Sequence, residues 1–255
     1  MPTAFITGAT AGIGAAFAHR LASDGFDLVL LARDAERLER TAADLREKYA
    51  VRTEALPADL SAEDGLAAAE KRVRDGVDLL VNNAGFGNKG VFLDVPVSDE
   101  LTMLKVHCEA VLRLTHAVLP GMLERGRGGV INVSSAAAFA TRGAYGASKA
   151  WVVSFSQGVA ADIGARSRGG VRVMALCPGF VRTEFHDRAQ MDMSDVPKFM
   201  WLDKDDVVNA ALRDLRRGVQ VSVPSPQYKA IVGVGRLLPR GLVTRLSSTT
   251  GRKYD

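Results

Sequence analysis

The chain has 255 residues, enough for one large domain or two small ones. Its composition, 47% hydrophobic and 24% charged, is typical of a folded globular protein and excludes a disordered chain. The net charge of +4 comes from 33 basic and 29 acidic residues, without a long basic run. We therefore expect no nucleic-acid partner.

The two cysteines, Cys108 and Cys177, lie far apart and do not have metal-ligand spacing. We expect both to be buried small side chains, and we predict no metal site. The chain enters an apolar strand without a secretion signal, and no apolar run reaches the roughly 18 to 20 residues of a membrane span. These features predict a cytoplasmic protein.

Short apolar runs alternate with helix-like stretches along most of the chain. The runs read as strands over 4–7, 27–32, 51–56, 78–82, 129–134, 171–176 and 219–223. Long helices are expected over 98–125 and 145–165, and Ser61 is expected to cap the helix that follows the third strand. Such alternation needs a mostly parallel sheet covered on both faces. The prediction is a single α/β domain over residues 1–255, doubly wound and Rossmann-type, with about seven parallel strands.

Two segments depart from this pattern. Residues 182–202 mix methionine and aromatic residues with charges after a strand end, where open α/β sheets bind ligands. This segment could be a substrate lid or a surface loop with its own apolar cluster. Residues 224–255 form a variable C-terminal segment that contains AIVGVGRLLPRGLVTRL. We expect a covering helix there, while docking on a partner subunit or a membrane surface stays open.

The first strand runs into the sequence TGATAGIG at residues 7–14. Gly8 permits a tight turn, Gly12 lets a diphosphate approach the backbone, and Gly14 lets the next helix pack closely on the sheet. The free N–H groups at the start of that helix favour an anion. A structural glycine turn is the alternative. The loop residues predicted to bind a dinucleotide are Gly8, Thr10, Ala11, Gly12, Ile13 and Gly14.

The second strand ends in LLARDAERL, with Arg33 directly after it. A guanidinium can bind a ribose 2′-phosphate through two hydrogen bonds, whereas a free 2′-hydroxyl usually meets a carboxylate at this position. The sequence therefore favours NADP(H) over NAD(H). Asp34 keeps NAD(H) possible, and a surface charge at the start of a helix is the other interpretation of Arg33.

Six motifs follow one another in order over about residues 3–185: TGATAGIG, Asp59-Leu60, NNAG (82–85), INVSS (131–135), YGASK (145–149) and PGFVRT (178–183). Together they resemble the short-chain dehydrogenase/reductase family. The resemblance implies that Asp59 contacts the adenine, that Asn83 lines the adenosine side, and that Val181 and Thr183 flank the nicotinamide. It also places Leu60, Ala84, Gly85, Pro178 and Gly179 at the cofactor. We further expect a homodimer or homotetramer.

Tyr145 and Lys149 are four residues apart, so they share one face of a helix. The pKa of a free tyrosine is about 10, and a nearby ammonium lowers this pKa because it favours the phenolate. Tyr145 is thus predicted to act as a general acid or base. Tyr145 and Lys149 are also expected to contact the cofactor; the resemblance implies that Lys149 holds the nicotinamide ribose and that a serine binds the substrate oxygen. Ser134 and Ser135 compete for that role; the motif favours Ser135, across a loop shorter than the family's usual one.

His107 stands where the family usually carries an asparagine that is thought to fix a water beside the lysine. Histidine can also bind a water through either ring nitrogen. We predict that His107 takes over this relay role. A helix histidine that only packs or caps a carbonyl is the alternative.

The resulting functional prediction is an oxidoreductase that passes hydride between NADP(H) and a ketone, aldehyde or secondary alcohol. A catalytically silent NAD(P)-binding regulator is the alternative, although Ser135, Tyr145 and Lys149 are all retained. A nucleotide-sugar epimerase or dehydratase would show a different glycine spacing and a longer C-terminal part. The substrate is expected to be a small apolar molecule, because the glycine-rich FGNKG (86–90) and several apolar side chains suggest an adaptable cleft. These side chains are Phe185, Met191, Met193, Phe199, Met200 and Trp201.

Overall fold

A computed structural model of the protein describes residues 1–140, 143–185 and 196–237. A parallel sheet of seven strands, in the order β3-β2-β1-β4-β5-β6-β9, forms its centre, and β7 and β8 pair separately. The strands are β1 (Thr3–Thr7), β2 (Asp27–Ala32), β3 (Thr53–Pro57), β4 (Leu79–Asn82), β5 (Gly128–Val133), β6 (Val171–Leu176), β7 (Phe180–Val181), β8 (Trp201–Leu202) and β9 (Val221–Ser222). The predicted α/β fold class and strand number are confirmed.

Helices cover both faces of the sheet. They are α1 (Gly12–Ser23), α2 (Ala35–Tyr49), α3 (Glu63–Arg74), α4 (Val97–Leu104), α5 (Ala110–Glu124), α6 (Gly143–Ser167), α7 (Lys204–Arg216) and α8 (Pro226–Leu237). Neighbouring residues of a strand point to opposite faces. Ile6 accordingly packs in a core with Phe17 of α1, and Phe5 packs in a second core with Leu114 of α5.

The sheet positions a crevice at its switch point. β1 is paired with β2 on one side and with β4 on the other, so the connections leave β1 in opposite directions. Thr7 ties the two carboxyl ends together, since its Oγ1 accepts the N–H groups of Asn83 and Ala84, both at 2.9 Å. Ligands of open α/β sheets bind beyond this edge.

Two local predictions were wrong. Ser61 does not cap α3: the N-cap is Ala62, and the Ser61 hydroxyl instead donates to Asp59 Oδ1 at 2.7 Å. The last strand was predicted over 219–223 but is limited to two residues. It is the edge strand and pairs with β6 only through Val221 and Ser222.

Most of the irregular 182–202 segment can be compared with the prediction. Its end forms a 3₁₀ turn (Lys198–Met200) and then β8, which pairs with β7; residues 186–195, including Met191 and Met193, lie outside the described residues. The described part of the C-terminal segment forms α8, and residues 238–255 lie outside the description. Helix α8 is fixed by Tyr228, whose hydroxyl donates to Met200 O and accepts the Phe180 N–H, both at 3.0 Å.

Within the three described ranges, none of the helices combines the length and the apolar character needed to cross a bilayer. Among the same residues, no three His, Cys, Asp or Glu side chains are grouped in a way that could hold a metal ion. Cys177 is buried as expected, whereas Cys108 is only half-buried, and the two do not form a disulfide.

Candidate functional site

A cavity of about 1730 Å³ opens at the carboxyl edge of the sheet. It brings together almost all of the residues that the sequence assigned to a site. Of the predicted residues, those lining it are Gly8, Thr10, Ala11, Gly12, Ile13, Arg33, Asp59, Leu60, Asn83, Ala84, Gly85, Ser135, Tyr145, Lys149, Pro178, Gly179, Val181 and Thr183. The predicted residues Gly14 and His107 do not line the cavity.

The glycine loop has the backbone shape that its sequence predicts. Gly8 and Gly12 have φ angles of +65° and +54°, in the left-handed region that favours glycine. A β-carbon on Gly14 would lie 2.2 Å from Gly8 O and 2.5 Å from Asn83 Nδ2, so no side chain fits there. Ala11, the N-cap of α1, offers no capping oxygen, and the first N–H groups of this helix can serve an anion.

Asn83 holds this loop from the side of β4. Its Nδ2 donates to Thr7 O at 3.0 Å and to Gly8 O at 3.2 Å. The amide nitrogen is thereby turned toward the main chain of the loop. Asn83 lines the cavity as predicted, and its hydrogen bonds make it a support of the loop as well.

Two arginines after the second strand line the cavity: Arg33, which directly follows β2, and Arg37, in the first turn of α2. Arg33 is exposed, while Asp34 accepts the Arg37 N–H at 2.9 Å and so caps α2. Arg37 was not predicted; it also lines the cavity and forms a bidentate pair with Glu184, at 2.6 and 3.0 Å. Its position in the first turn of the helix that follows Arg33 could have suggested it.

Asp59 stands at the end of the third strand. Burial acts to raise its pKa, but hydrogen bonds from the Ser61 N–H and hydroxyl, together with the charge of Arg33, hold that pKa below its usual value. The carboxylate is therefore ionised at neutral pH. It can accept a hydrogen bond from a ligand such as an amino group.

The two candidate serines have different surroundings. The Ser134 hydroxyl is buried and donates to the Lys149 carbonyl at 2.7 Å, which joins β5 to α6. The Ser135 Oγ accepts the Ala137 N–H at 3.1 Å, which uses a lone pair and leaves its proton able to be donated. This geometry favours Ser135 as the serine that binds a substrate oxygen.

Tyr145 and Lys149 lie on adjacent turns of α6. The Lys149 Nζ is 5.8 Å from the centre of the Tyr145 ring and donates to Val133 O at 3.2 Å. Lys149 is buried, and this burial lowers its pKa from 10.5 to about 8. The amine is thus poised to exchange a proton close to neutral pH.

His107 lies in a π-helical turn (Lys105–Glu109) between α4 and α5 and is 1% exposed. Its Nε2 accepts the Phe86 N–H at 3.2 Å, and its Nδ1 lies 2.9 Å from Ser148 Oγ, which itself donates to Tyr145 O. With Nε2 accepting, Nδ1 carries the proton. Burial and the charge of Lys149 hold the pKa of His107 well below 6.5. Both nitrogens are occupied, so His107 does not itself hold the predicted relay water in this arrangement.

The remaining wall of the cavity is mostly apolar. The Phe185 ring lies 6.2 Å from the Tyr145 ring, and Phe86, Phe139 and Tyr228 contribute further aromatic surface. A β-carbon on Gly179 would lie 1.9 Å from the Tyr228 ring, which shows how closely α8 covers the loop after β6. Phe86, Phe185 and Tyr228 fall within segments that the sequence singled out (86–90, 182–202 and 224–255), but neither Phe139 nor Tyr228 was itself predicted.

Comparison with known proteins agrees with this geometry. The family model for short chain dehydrogenases matches residues 2–194. A very-long-chain 3-oxoacyl-CoA reductase from Anas platyrhynchos is 32% identical over 98% of this chain and 80% of its own length. A short-chain dehydrogenase from Sphingobium yanoikuyae, solved with NADPH, is 36% identical with a TM-score of 0.84, covering 92% of this chain and 94% of that one.

A bulky-bulky ketone specific alcohol dehydrogenase from Comamonas testosteroni is also similar in structure. It is 32% identical, with a TM-score of 0.80 over 93% of this chain and 92% of its own. The family model alone covers well over half of the chain, and the six motifs named above fall inside the same region. The chain belongs to the short-chain dehydrogenase family of oxidoreductases.

Proposed function

We propose that this protein is an NADP(H)-dependent carbonyl reductase, or the reverse alcohol dehydrogenase, in which Tyr145 exchanges the proton. One observation carries the proposal: Ser135, Tyr145 and Lys149 line the same cavity as the glycine loop and Arg33. A proton donor, a buried amine and a phosphate-binding loop thereby face one volume.

The residues at the carboxyl ends of β1 to β4 fit a dinucleotide. The absence of room for a β-carbon at Gly14 and the left-handed φ angles of Gly8 and Gly12 create a close-approach surface for a diphosphate. Asp59 and Leu60 would contact the adenine, Lys149 would hold the nicotinamide ribose, and Val181 and Thr183 would flank the nicotinamide. When bound, the cofactor supplies the hydride in reduction and accepts it in oxidation.

The preference for NADP(H) over NAD(H) rests on charge. Arg33 faces the cavity, whereas the Asp34 carboxylate is occupied in capping α2. Arg37 adds a second guanidinium at the same end, although Glu184 shares it. The NADPH complex of the Sphingobium yanoikuyae relative supports the same choice.

The proton transfer is assigned to Tyr145. In reduction its phenol gives a proton to the carbonyl oxygen, which Ser135 binds through its hydroxyl; in oxidation the phenolate takes the proton back. Lys149 lies beside the ring, and its charge stabilises the phenolate. His107 acts as a positioning residue: it links the Gly85–Phe86 loop to the Tyr145 turn through Phe86 N–H and Ser148.

The substrate is proposed to be an apolar carbonyl compound. Phe86, Phe139, Phe185 and Met200 line the cavity, and the relatives named for very-long-chain 3-oxoacyl-CoA and for bulky-bulky ketones are consistent with such a wall. The enzyme is further proposed to work in the cytoplasm as a homodimer or homotetramer; light scattering of the purified protein measures the assembly.

The test follows NADPH oxidation with a panel of aliphatic, aromatic and polycyclic ketones. Tyr145→Phe is expected to lower kcat by about 10² to 10⁴ while the Kd for NADPH stays within about twofold, because the variant loses the proton donor but keeps the ring and the other predicted cofactor contacts. Tyr49→Phe, a tyrosine of α2 outside the cavity, serves as the matched control and should leave kcat unchanged. Tight NADPH binding without turnover of any carbonyl or alcohol would instead favour a silent NADP-binding regulator.

A further inference from the structure

Two buried polar atoms on residues that line the cavity have no hydrogen-bond partner among the described residues. Asn88 Nδ2, in the loop after β4, and Glu100 Oε2, on α4, are both shielded from solvent and have no hydrogen bond to the described part of the chain. Both residues line the cavity. Thr53, Arg72 and Asn82 also carry such an atom, but none of these lines the cavity.

Their surroundings make the missing partners informative. Most cavity-lining residues near them in the chain are apolar, such as Phe86, Val91 and Met103, and the hydroxyl of the polar one, Thr102, donates to Ser98 O. A buried donor or acceptor that has lost water without gaining a hydrogen bond costs free energy, and native proteins rarely keep one without a reason. A ligand group that pairs with either atom would recover part of this cost.

The two atoms together select the chemistry of that group. Asn88 Nδ2 donates, and the Glu100 carboxylate accepts. A carboxylate or phosphate would be repelled by Glu100, and an ammonium would leave the Asn88 donor unpaired. A hydroxyl can pair with either atom, since its oxygen can accept from Asn88 and its proton can be donated to Glu100.

We propose that Asn88 and Glu100 form a hydroxyl-binding subsite, so that the preferred substrate is a ketone or aldehyde with an apolar body and a separate hydroxyl group. This inference rests on the proposed carbonyl reductase function and narrows its substrate class. The subsite would fix the end of the substrate distant from the reacting carbonyl. It would discriminate against analogues that lack the hydroxyl, because they leave both polar atoms unpaired.

The test compares matched pairs of ketones: acetophenone with its 3- and 4-hydroxymethyl derivatives, and 2-decanone with its terminally hydroxylated form. The wild-type protein should prefer the hydroxylated member of at least one pair by tenfold or more in kcat/KM. Glu100→Leu and Asn88→Leu should each reduce that preference to about twofold or less, mainly by raising KM for the hydroxylated ketone. Asp99→Asn, an exposed neighbour on the same helix, is the control and should keep the preference.

Calorimetric binding to Tyr145→Phe saturated with NADP⁺ gives a second readout that needs no turnover. Tighter binding of the hydroxylated member, lost in the Glu100→Leu background, supports the subsite even if catalysis fails, whereas absence of turnover with any ketone counts against the proposed function. Equal binding of both members, or a preference that survives both leucine substitutions, overturns the subsite. A stronger preference for the corresponding aminomethyl ketone also overturns it, in favour of an ammonium site.

Discussion

The cofactor end and the substrate end of the cavity are built in different ways. At the cofactor end the main chain sets the shape: Gly8 N–H and Ala9 N–H both donate to Leu31 O, at 2.8 and 3.2 Å, and Gly14 lies against Gly8 O. At the substrate end side chains set the shape. β7 and β8 have two residues each, and the Tyr228 hydroxyl joins Phe180 to Met200.

The contrast extends to exposure. Phe92 and Phe199, near the substrate end, are 66% and 69% exposed. Ile6 and Val81, which lie near the carboxyl ends of β1 and β4 close to the glycine loop, are fully buried. A backbone-built site tolerates few substitutions, while a side-chain-built site can change its specificity without loss of the fold. One end is thus suited to a constant cofactor and the other to a variable substrate.

The largest expected effect comes from a substitution at the cofactor end. Gly14→Ala places a β-carbon against the Gly8 carbonyl, which cannot move without distorting the loop. We expect the free energy of unfolding to fall by about 3 kcal/mol or more and the affinity for NADPH to fall at least tenfold. Chemical denaturation and equilibrium binding measure the two quantities.

Gly164→Ala provides the control for that substitution. Gly164 lies in α6 with open space around its α-carbon, so alanine should raise the stability by roughly 0.5–1 kcal/mol and leave NADPH binding unchanged. If both variants bind NADPH like the wild type, the close packing at Gly14 does not define the cofactor site.

The same contrast explains how much the sequence could predict. The strand, the glycine turn and the following helix are adjacent in the chain, so local spacing was sufficient for residues 7–14. The predicted helix cap at Ser61 was wrong because the Ser61 hydroxyl donates to the carboxylate of Asp59, two residues earlier, which is a stronger partner than the end of the helix. Tyr228 could not be predicted, since its role depends on the fold bringing α8 onto Gly179. His107 was found through the family pattern, but the π-helical turn and Ser148 decide what its nitrogens bind.

Lys149 lies between the cofactor end and the substrate end. Its substitution tests whether the buried amine that catalysis needs lowers the free energy of unfolding. Its pKa is about 8 in the fold and 10.5 when unperturbed, so burial of the ammonium costs stability. Lys149→Met should lose most activity yet raise the free energy of unfolding by about 1–2 kcal/mol at pH 7, because the unpaired Val133 carbonyl offsets part of the gain.

The sign of the pH dependence follows from the two pKa values. Below pH 8 both folded and unfolded wild-type chains hold the proton, and the full cost applies. Between pH 8 and about 10 the folded chain releases the proton while the unfolded chain keeps it, so wild-type stability rises and the advantage of the variant shrinks. Denaturation curves at pH 7 and pH 9.5 check this, with Lys71→Met on the surface of α3 as control. An advantage that is independent of pH would contradict the argument.

Substitution of Arg33 has the smallest expected effect on activity. Arg33 is also the exception within the cofactor end, because there an exposed side chain, and not the main chain, would decide between NADPH and NADH. Arg33→Gln should lower kcat/KM for NADPH about tenfold and leave that for NADH unchanged, since NADH has no 2′-phosphate to lose a partner. Arg40→Gln, on α2 and outside the cavity, should change kcat/KM for neither cofactor.

Because the site is open to solvent, salt screens it, and the tenfold effect should shrink when the ionic strength rises from 0.05 to about 0.5 M. A wild-type preference for NADH, or an equal loss with both cofactors, would contradict the assignment of Arg33 to the 2′-phosphate.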